Sequence, residues 1–293
     1  EMVRRKFFYN TLCFTTNASM LDPVFVKKLS AFRPMEINVS LHSTEPALWA
    51  HIFGQDTRKA EIAIASLPLL RAQNIDLIGT LVPLPKICGW EGLERTYAHL
   101  IAQGARSMIL YWPGHTHLTR PEVLADLECS LTEFTDFSER MKAAFRVPLI
   151  PHPDMVSPLQ IRVETIVAKT LKGNPKNRGG AYREVVWLSS AAAFCRLESM
   201  VKEKTLSAPN LHQVEPVENG TYGGNIMAAG LLMVEDFIHA GKKVLERQPE
   251  VELFLVPREP FDSLLRDLQG TPAHMIADDL RRPVWLADGH GGI

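Results

Sequence analysis

Two stretches bring hydrogen-bonding side chains to the ends of apolar runs: Thr15-Thr16-Asn17-Ala18-Ser19 and Ile37-Asn38-Val39-Ser40-Leu41-His42-Ser43-Thr44. Each reads as a β-strand with a polar exit, where hydroxyl, amide and imidazole groups would project toward a small ligand. Thr16, Asn17, Ser40, His42 and Ser43 are therefore the first candidate binding residues. A competing reading is structural. Ser, Thr and Asn after a strand also cap the next helix, and a histidine between Leu41 and Ser43 also serves as a hydrogen-bonded framework group. His115 and His117 are one residue apart, so in extended backbone they face the same side and would share a metal, as in a metal-assisted hydrolase. The sequence places no carboxylate or cysteine partner beside them.

Asn219-Gly220-Thr221-Tyr222-Gly223-Gly224 suits either a backbone-exposing loop over a ligand or a tight turn joining two strands. It lacks the glycine spacing of a dinucleotide or P-loop cradle. Asp278-Asp279 and Asp288-Gly289-His290 offer acid/base or metal groups, although charges near a terminus are commonly solvated. No nucleophile elbow or Ser/His/Asp order is present.

The elements that must hold these groups alternate strand and helix. Asn10 to Thr16 is β-like and leads to Asp22-Pro23, an N-cap with proline at the first helical position, and a helix through Leu29. Glu36 to Leu41 is a second strand, followed by helices to about Ile52 and from about Thr57 to Gln73. Ile75 to Val82 is nearly continuous and apolar, as in a strand buried on both faces of a parallel sheet. Pro83-Leu84-Pro85-Lys86 reads as a loop, Trp90 opens a helix to about Gln103, and Ser107 to Tyr111 is a fourth strand.

One helix is expected from Arg120 to Phe145, then a proline-rich crossing from Val147 to Pro158 and a helix from Leu159 to Leu171. Lys172 to Gly180 is a polar, glycine-rich linker candidate. Beyond it lie strands at Glu184 to Leu188, Leu211 to Val217, Asn225 to Ala229 and Val251 to Val256, and a last small element around Val284-Trp285. Helices are expected over Ala191 to Lys202 and Glu235 to Glu246. Repeating strand and helix argues for an α/β barrel or doubly wound sheet, with ligand residues at the carboxyl ends of the strands.

The chain has 293 residues, 46% of them apolar, and a net charge of −1, enough for two packed domains. Basic runs are lacking, which disfavours nucleic acid as a partner. Apolar stretches such as Ile62 to Leu70 are too short to span a bilayer, so no membrane partner is expected. Cys13, Cys88, Cys129 and Cys195 are too scattered for a zinc knuckle or a secreted disulfide framework, which suits small buried apolar residues and a reducing, cytoplasmic location. Residue 1 is Glu, consistent with a processed or trimmed chain.

The order Thr16-Asn17, Val39-Ser40-Leu41-His42-Ser43-Thr44, Leu81-Val82-Pro83 with Leu93-Glu94-Arg95-Thr96, and Tyr111-Trp112-Pro113-Gly114-His115-Thr116 resembles the later strands of radical SAM proteins. Among these, the chain is similar to PDZ-containing radical SAM proteins with a C-terminal domain of unknown function. That domain's pattern is matched by Val217-Glu218-Asn219-Gly220-Thr221-Tyr222-Gly223-Gly224-Asn225-Ile226, Ala229-Gly230-Leu231-Leu232, Phe254-Leu255-Val256-Pro257 and Ala277-Asp278-Asp279-Leu280. The resemblance covers roughly residues 8 to 285 and implies an α/β fold, a partial radical SAM-type (β/α) barrel followed by a smaller α/β domain. It divides the chain into a barrel part over 1–146, a helical connection and linker over 147–180, and the C-terminal domain over 181–293.

The resemblance further implies S-adenosylmethionine as cofactor. Thr16, Asn17, Ser40, His42 and Ser43 would bond its ribose and amino-acid parts, with backbone around Leu81 to Pro83 and Trp112 to Gly114 flanking the adenine, at Pro83 and Pro113. A [4Fe-4S] cluster is implied too, yet the C-x3-C-x2-C motif that would hold it occurs nowhere in the chain, nor does the acidic segment of the family's second strand. Two functions follow as expectations. One is a portion of a radical SAM iron-sulfur enzyme acting on an unassigned small-molecule or protein substrate. The other is a non-catalytic binding or scaffold protein of the same fold. A barrel beginning at its third strand would leave an open edge, to be covered by an N-terminal region or a protein partner.

Overall fold

A computed structural model describes residues 10–152, 161–173, 180–208 and 210–289. The chain divides into two units, Glu1–Gly114 with Thr119–His152, and His115–Leu118 with Pro153–Ile293. Each contains one wholly parallel sheet, of five and four strands respectively.

In the first unit the strands β1 (Leu12–Thr16), β2 (Met35–Ser40), β3 (Asp76–Leu81), β4 (Ala105–Tyr111) and β5 (Leu149–His152) lie side by side in chain order. Between them run α1 (Pro23–Leu29), α2 (Pro46–Phe53), α3 (Thr57–Ala72), α4 (Pro85–Ala102), the short α5 (Pro121–Leu124) and α6 (Leu131–Ala144). Right-handed crossovers that always step in one direction place every helix on the same face of the sheet. The core follows this rule. Met35, Ile37, Val39 and Leu41 from β2 and its exit, Leu77 and Leu81 from β3, and Met108 and Leu110 from β4 pack with Trp49, Leu67, Leu93, Tyr97, Phe134 and Phe137 of the helices.

The expected cap of α1 is present: Asp22 Oδ1 accepts from the Phe25 amide at 2.7 Å, with Pro23 at the first helical position. Several expectations need correction. The single helix over Arg120 to Phe145 is broken, because Ser130 and Glu133 form a reciprocal capping box that starts α6 afresh after a short 3-10 turn at Ala125–Leu127. Within the expected proline-rich crossing lies β5, paired with β4. As an edge strand it tolerates Pro151, and the Pro148 carbonyl accepts from the Met108 amide at 2.9 Å. Helical residues begin at Pro85 rather than Trp90, but Gly89 breaks the run with a left-handed φ of 62°. Finally, β3 is not buried on both faces along its length, since Asp76 and Ile78 are half-exposed while Leu77, Gly79 and Leu81 are buried.

In the second unit the strands β6 (Glu184–Ser190), β7 (Leu211–Val217), β8 (Leu253–Pro257) and β9 (Val284–Ala287) are ordered β7-β6-β8-β9. The helices are α7 (Val163–Lys172), α8 (Ala191–Thr205), α9 (Val234–Arg247) and α10 (His274–Leu280). Here the chain first steps one way from β6 to β7, then crosses back to β8, so the helices fall on both faces. Val185, Trp187, Leu253 and Leu255 pack on α7 and α8. Val186, Leu188, Phe254 and Val256 pack on α9 and α10. The central strands β6 and β8 are correspondingly buried on both sides.

The strand expected at Asn225 to Ala229 is absent. Asn219 Nδ2 donates to the Leu231 carbonyl at 2.9 Å and folds this stretch into a loop that ends in a 3-10 turn at Ala229–Leu231. Most of the linker expected at Lys172 to Gly180 lies outside the described residues, as do residues 153–160.

Candidate functional site

Alternation along a strand sends successive side chains to opposite faces, and the register of the first sheet shows what lies opposite its helices. Cys13 and Thr15 of β1 align with Glu36 and Asn38 of β2. Glu36, Asn38 and Ser40 align with Asp76, Ile78 and Thr80 of β3, and these continue into Ser107 and Ile109 of β4. This second face is polar and only partly covered. Cys13, Thr15 and Ile150 are exposed, and Glu36, Ser40, Ile78, Ser107, Ile109 and Tyr111 are half-buried.

Asn38 and Thr80 are buried within it and hydrogen-bonded through Asn38 Oδ1 and Thr80 Oγ1. That contact uses the carbonyl end of Asn38 and leaves its amide nitrogen as a donor. Beside it the Ser40 hydroxyl has no partner among the described residues. Cys13 Sγ donates to Glu36 Oε1 at 3.4 Å.

The residues singled out in the sequence are divided by this geometry. Ser40 lies on the polar face. Thr16 aligns with Val39, on the helix side of the strand end, and its Oγ1 accepts from the Ala18 amide at 3.0 Å. Asn17 Oδ1 accepts from the Ser19 amide at 3.2 Å and the Ser19 hydroxyl at 2.9 Å, closing the turn into α1.

Ser43 Oγ accepts from the Glu45 amide at 3.1 Å ahead of α2. His42 is buried, stacked on Phe53 with ring centroids 5.1 Å apart, and its Nδ1 accepts from the Val82 amide at 3.2 Å. Burial pulls its pKa down to about 4, so at neutral pH the ring is uncharged, carries its proton on Nε2 and ties the end of β2 to the end of β3. Pro83 and Pro113 are buried at the exits of β3 and β4.

Thr15, Asn38 and Thr80 were not singled out by sequence reasoning. Their signal is the strict alternation of β2, in which Met35, Ile37, Val39 and Leu41 are separated by Glu36, Asn38 and Ser40.

The cysteines of this unit are held in the protonated thiol form. Burial, with the Glu45 charge, pushes Cys88 up to about 11, and burial, with the Glu133 charge, does the same to Cys129. Cys13 is raised by burial and by Glu36. Among the described residues no three His, Cys, Asp or Glu side chains are grouped to hold a metal ion. The described residues, which include all four cysteines, therefore do not fit an iron-sulfur cluster.

Among the described residues, His115 and His117 gain no third ligand in the second unit. They pack against the glycine-rich turn instead. The His115 amide donates to Asn225 Oδ1 at 2.7 Å, its carbonyl accepts from the Asn225 amide at 3.2 Å, and the His117 amide donates to the Tyr222 carbonyl at 2.8 Å. A Cβ on Gly224 would overlap the His115 carbonyl oxygen, and its φ of 62° is left-handed as well, so glycine is required by this close approach. The Asn219 to Gly224 run is thus a turn with its backbone occupied: Asn219 Oδ1 accepts from Tyr222 at 2.8 Å and Asp236 Oδ1 from Gly220 at 2.9 Å. Asp278 and Asp279 are exposed on α10, where Asp279 pairs with Lys242 at 3.0 Å. No helix among the described residues is long and apolar enough to cross a membrane.

No family model matches the chain, and no curated protein matches it. Among solved structures, part of the chain resembles Streptococcus suis SuiB bound to S-adenosylmethionine, at 11% identity and a TM-score of 0.39, over 52% of this chain and 34% of that one. The chain thus spans about a third of that protein's length. A solute-binding protein of an ABC transporter from Burkholderia multivorans matches at 12% identity and a TM-score of 0.31, over 85% of this chain and 70% of that one. At these scores neither likeness carries a functional argument.

Proposed function

We propose that the first unit binds S-adenosylmethionine on the polar face of its sheet and is a portion of a radical SAM enzyme. The observation that carries this reading is a parallel sheet in unbroken chain order, covered by helices on one face and lined on the other by Thr15, Asn38, Ser40 and Thr80. A face of this kind belongs to a barrel interior rather than to an open sheet with helices on both sides.

The donor set fits the cofactor's ribose and amino-acid groups. The Asn38 amide nitrogen and Ser40 hydroxyl are available, and the β3 and β4 exits supply backbone at Pro83 and Pro113. When bound, S-adenosylmethionine would supply an activated sulfonium; the chain's own residues orient it and exclude water. Since the cysteines here do not fit a cluster, no cluster-dependent step is assigned to this chain.

The β1 edge supports a partner or preceding segment alongside it. Met20, Val24 and Phe25, around and within the helix after β1, are 72%, 64% and 43% exposed, an apolar surface that water solvates poorly.

Calorimetric titration of the chain with S-adenosylmethionine tests the proposal. Saturable binding is expected, weakened at least about tenfold in Asn38→Leu, which removes a buried charge-assisted or neutral donor worth about 1.5 kcal/mol or more. No binding at millimolar ligand, or equal binding by the variant, would overturn it. The missing cluster motif favours a second reading, a binding or scaffold protein of this fold without chemistry of its own. Binding with no 5′-deoxyadenosine formed after reconstitution with iron, sulfide and reductant would select it.

A further inference from the structure

The second unit carries a separate feature that the S-adenosylmethionine reading does not use. In a doubly wound sheet the two strands whose connections depart in opposite directions leave a crevice beyond their carboxyl ends. Here those strands are β6, which leaves toward α8, and β8, which leaves toward α10 on the other face. The last residues of β6 are Ser189 and Ser190, each 3% exposed.

Ser190 is also the N-cap of the 15-residue α8, with the extended backbone that a capping residue needs (φ −61°, ψ 151°). A serine in this position ordinarily turns its hydroxyl onto an amide of the first turn. Ser190 does not: no side-chain cap bond forms, and its hydroxyl has no other partner among the described residues. Ser189 differs, because its hydroxyl donates to the Ser190 carbonyl at 3.3 Å.

The first-turn amides of a helix have no partners inside the helix. One of them, Ala192 N–H, donates to the Met227 carbonyl at 3.3 Å, so the loop after the glycine-rich turn closes one side of the helix end. Ala191, Ala192 and Ala193 present no bulk to keep a ligand away from the remaining amides. A buried serine whose hydroxyl has no partner among the described residues, first-turn amides without a side-chain cap and the positive end of a helix dipole thus lie at the place where the strand order reverses.

We infer that this end of β6 is an oxyanion site, taking the phosphate or carboxylate group of a small ligand on the Ser190 hydroxyl and the first-turn amides of α8. The ligand completes the cap that Ser190 leaves open. Because no cap bond is lost, Ser190→Ala leaves folding unchanged and weakens the anion. Ser190→Asp places a carboxylate on the same amides, a favourable cap, and excludes the anion by occupancy and charge.

The test is amide-resolved NMR titration of the full chain with inorganic phosphate and, separately, acetate. Saturable shifts are expected at residues 190–193, at least fivefold weaker in Ser190→Ala, absent in Ser190→Asp and retained in Ser190→Thr, with melting temperatures close to wild type. Response to phosphate alone assigns a phosphorylated ligand, and response to both assigns a site for either anion. Shifts elsewhere only, no response to either anion, or equal affinity in Ser190→Ala and Ser190→Asp would overturn the inference.

Discussion

Both units are parallel α/β sheets, yet they meet water differently. In the first, strands follow one another in space as in sequence, so the helices share a face and the other is left polar, with Asn38 and Thr80 set among half-exposed neighbours. In the second, one reversal of direction puts α7 and α8 on one side and α9 and α10 on the other. The polar groups that remain are then found at strand ends, such as Ser190, or sealed in the core. His212 is the sealed case: its Nδ1 accepts from Trp187 Nε1 at 2.9 Å and its Nε2 lies 3.3 Å from Thr170 Oγ1. Connection order, more than composition, decides whether such a sheet offers a ligand a face or an edge.

The sharpest test of this contrast is to place the same charge on both sheets. Val186→Asp puts a carboxylate at a position 1% exposed between two helix layers, and a loss of about 4 kcal/mol or more is expected, enough to unfold the second unit. Ile150→Asp, at 49% exposure on the open face of β5, should cost under about 1 kcal/mol. Hydrogen exchange resolved by unit would read the difference; similar losses would mean that the first sheet's second face is covered as fully as its first.

Acid should act on both units. Burial holds His42 and His212 at about 4 against an ordinary 6.5, so between those values the unfolded chain binds protons that the folded chain does not. Stability is complete above about pH 6.5 and falls as the pH drops toward 4, by on the order of 3 kcal/mol for the fully buried His42. Replacement by Gln at each site should flatten its share of the pH-dependent melting curve.

Gly224→Ala should cost the second unit about 2 kcal/mol, because the new Cβ meets backbone and the φ is left-handed. A melting temperature equal to wild type would show that the His115 pairing is dispensable. Helix caps give the smallest effects and separate the units again. Asp22→Ala and Ser130→Ala each lose a cap bond worth about 1 kcal/mol, whereas Ser190→Ala should stay within about 0.5 kcal/mol of wild type.

Local chemistry was legible where it acts over a few residues. Asp22-Pro23 marked a helix start, Leu211 to Val217 a strand of those same bounds, and the alternation of strand and helix the α/β class. The broken helix before Phe145 was readable in principle from Ser130 and Glu133, whose types and spacing are those of a capping box. The strand at Leu149–His152 was hidden by Pro151 within it and Pro148 just before it, which its edge position accommodates.

For the candidate site, residue types pointed to the strand ends but not to the side each group would take. Thr16 and Ser40 look alike in sequence, two polar residues closing apolar strands. The register with Val39 turns one to the helices, and the register with Thr80 turns the other to the open face. His42 suited a ligand contact or a hydrogen-bonded framework group alike, and its partner, the Val82 amide just past the end of β3, lies 40 residues away. Sequence alone determined the α/β class and most of the strands and helices, because propensity, capping and hydrophobic period are local. Tertiary structure alone decided which polar groups remain unspent, because hydrogen-bond partners come from strands distant in the chain and are chosen by the order in which they pair.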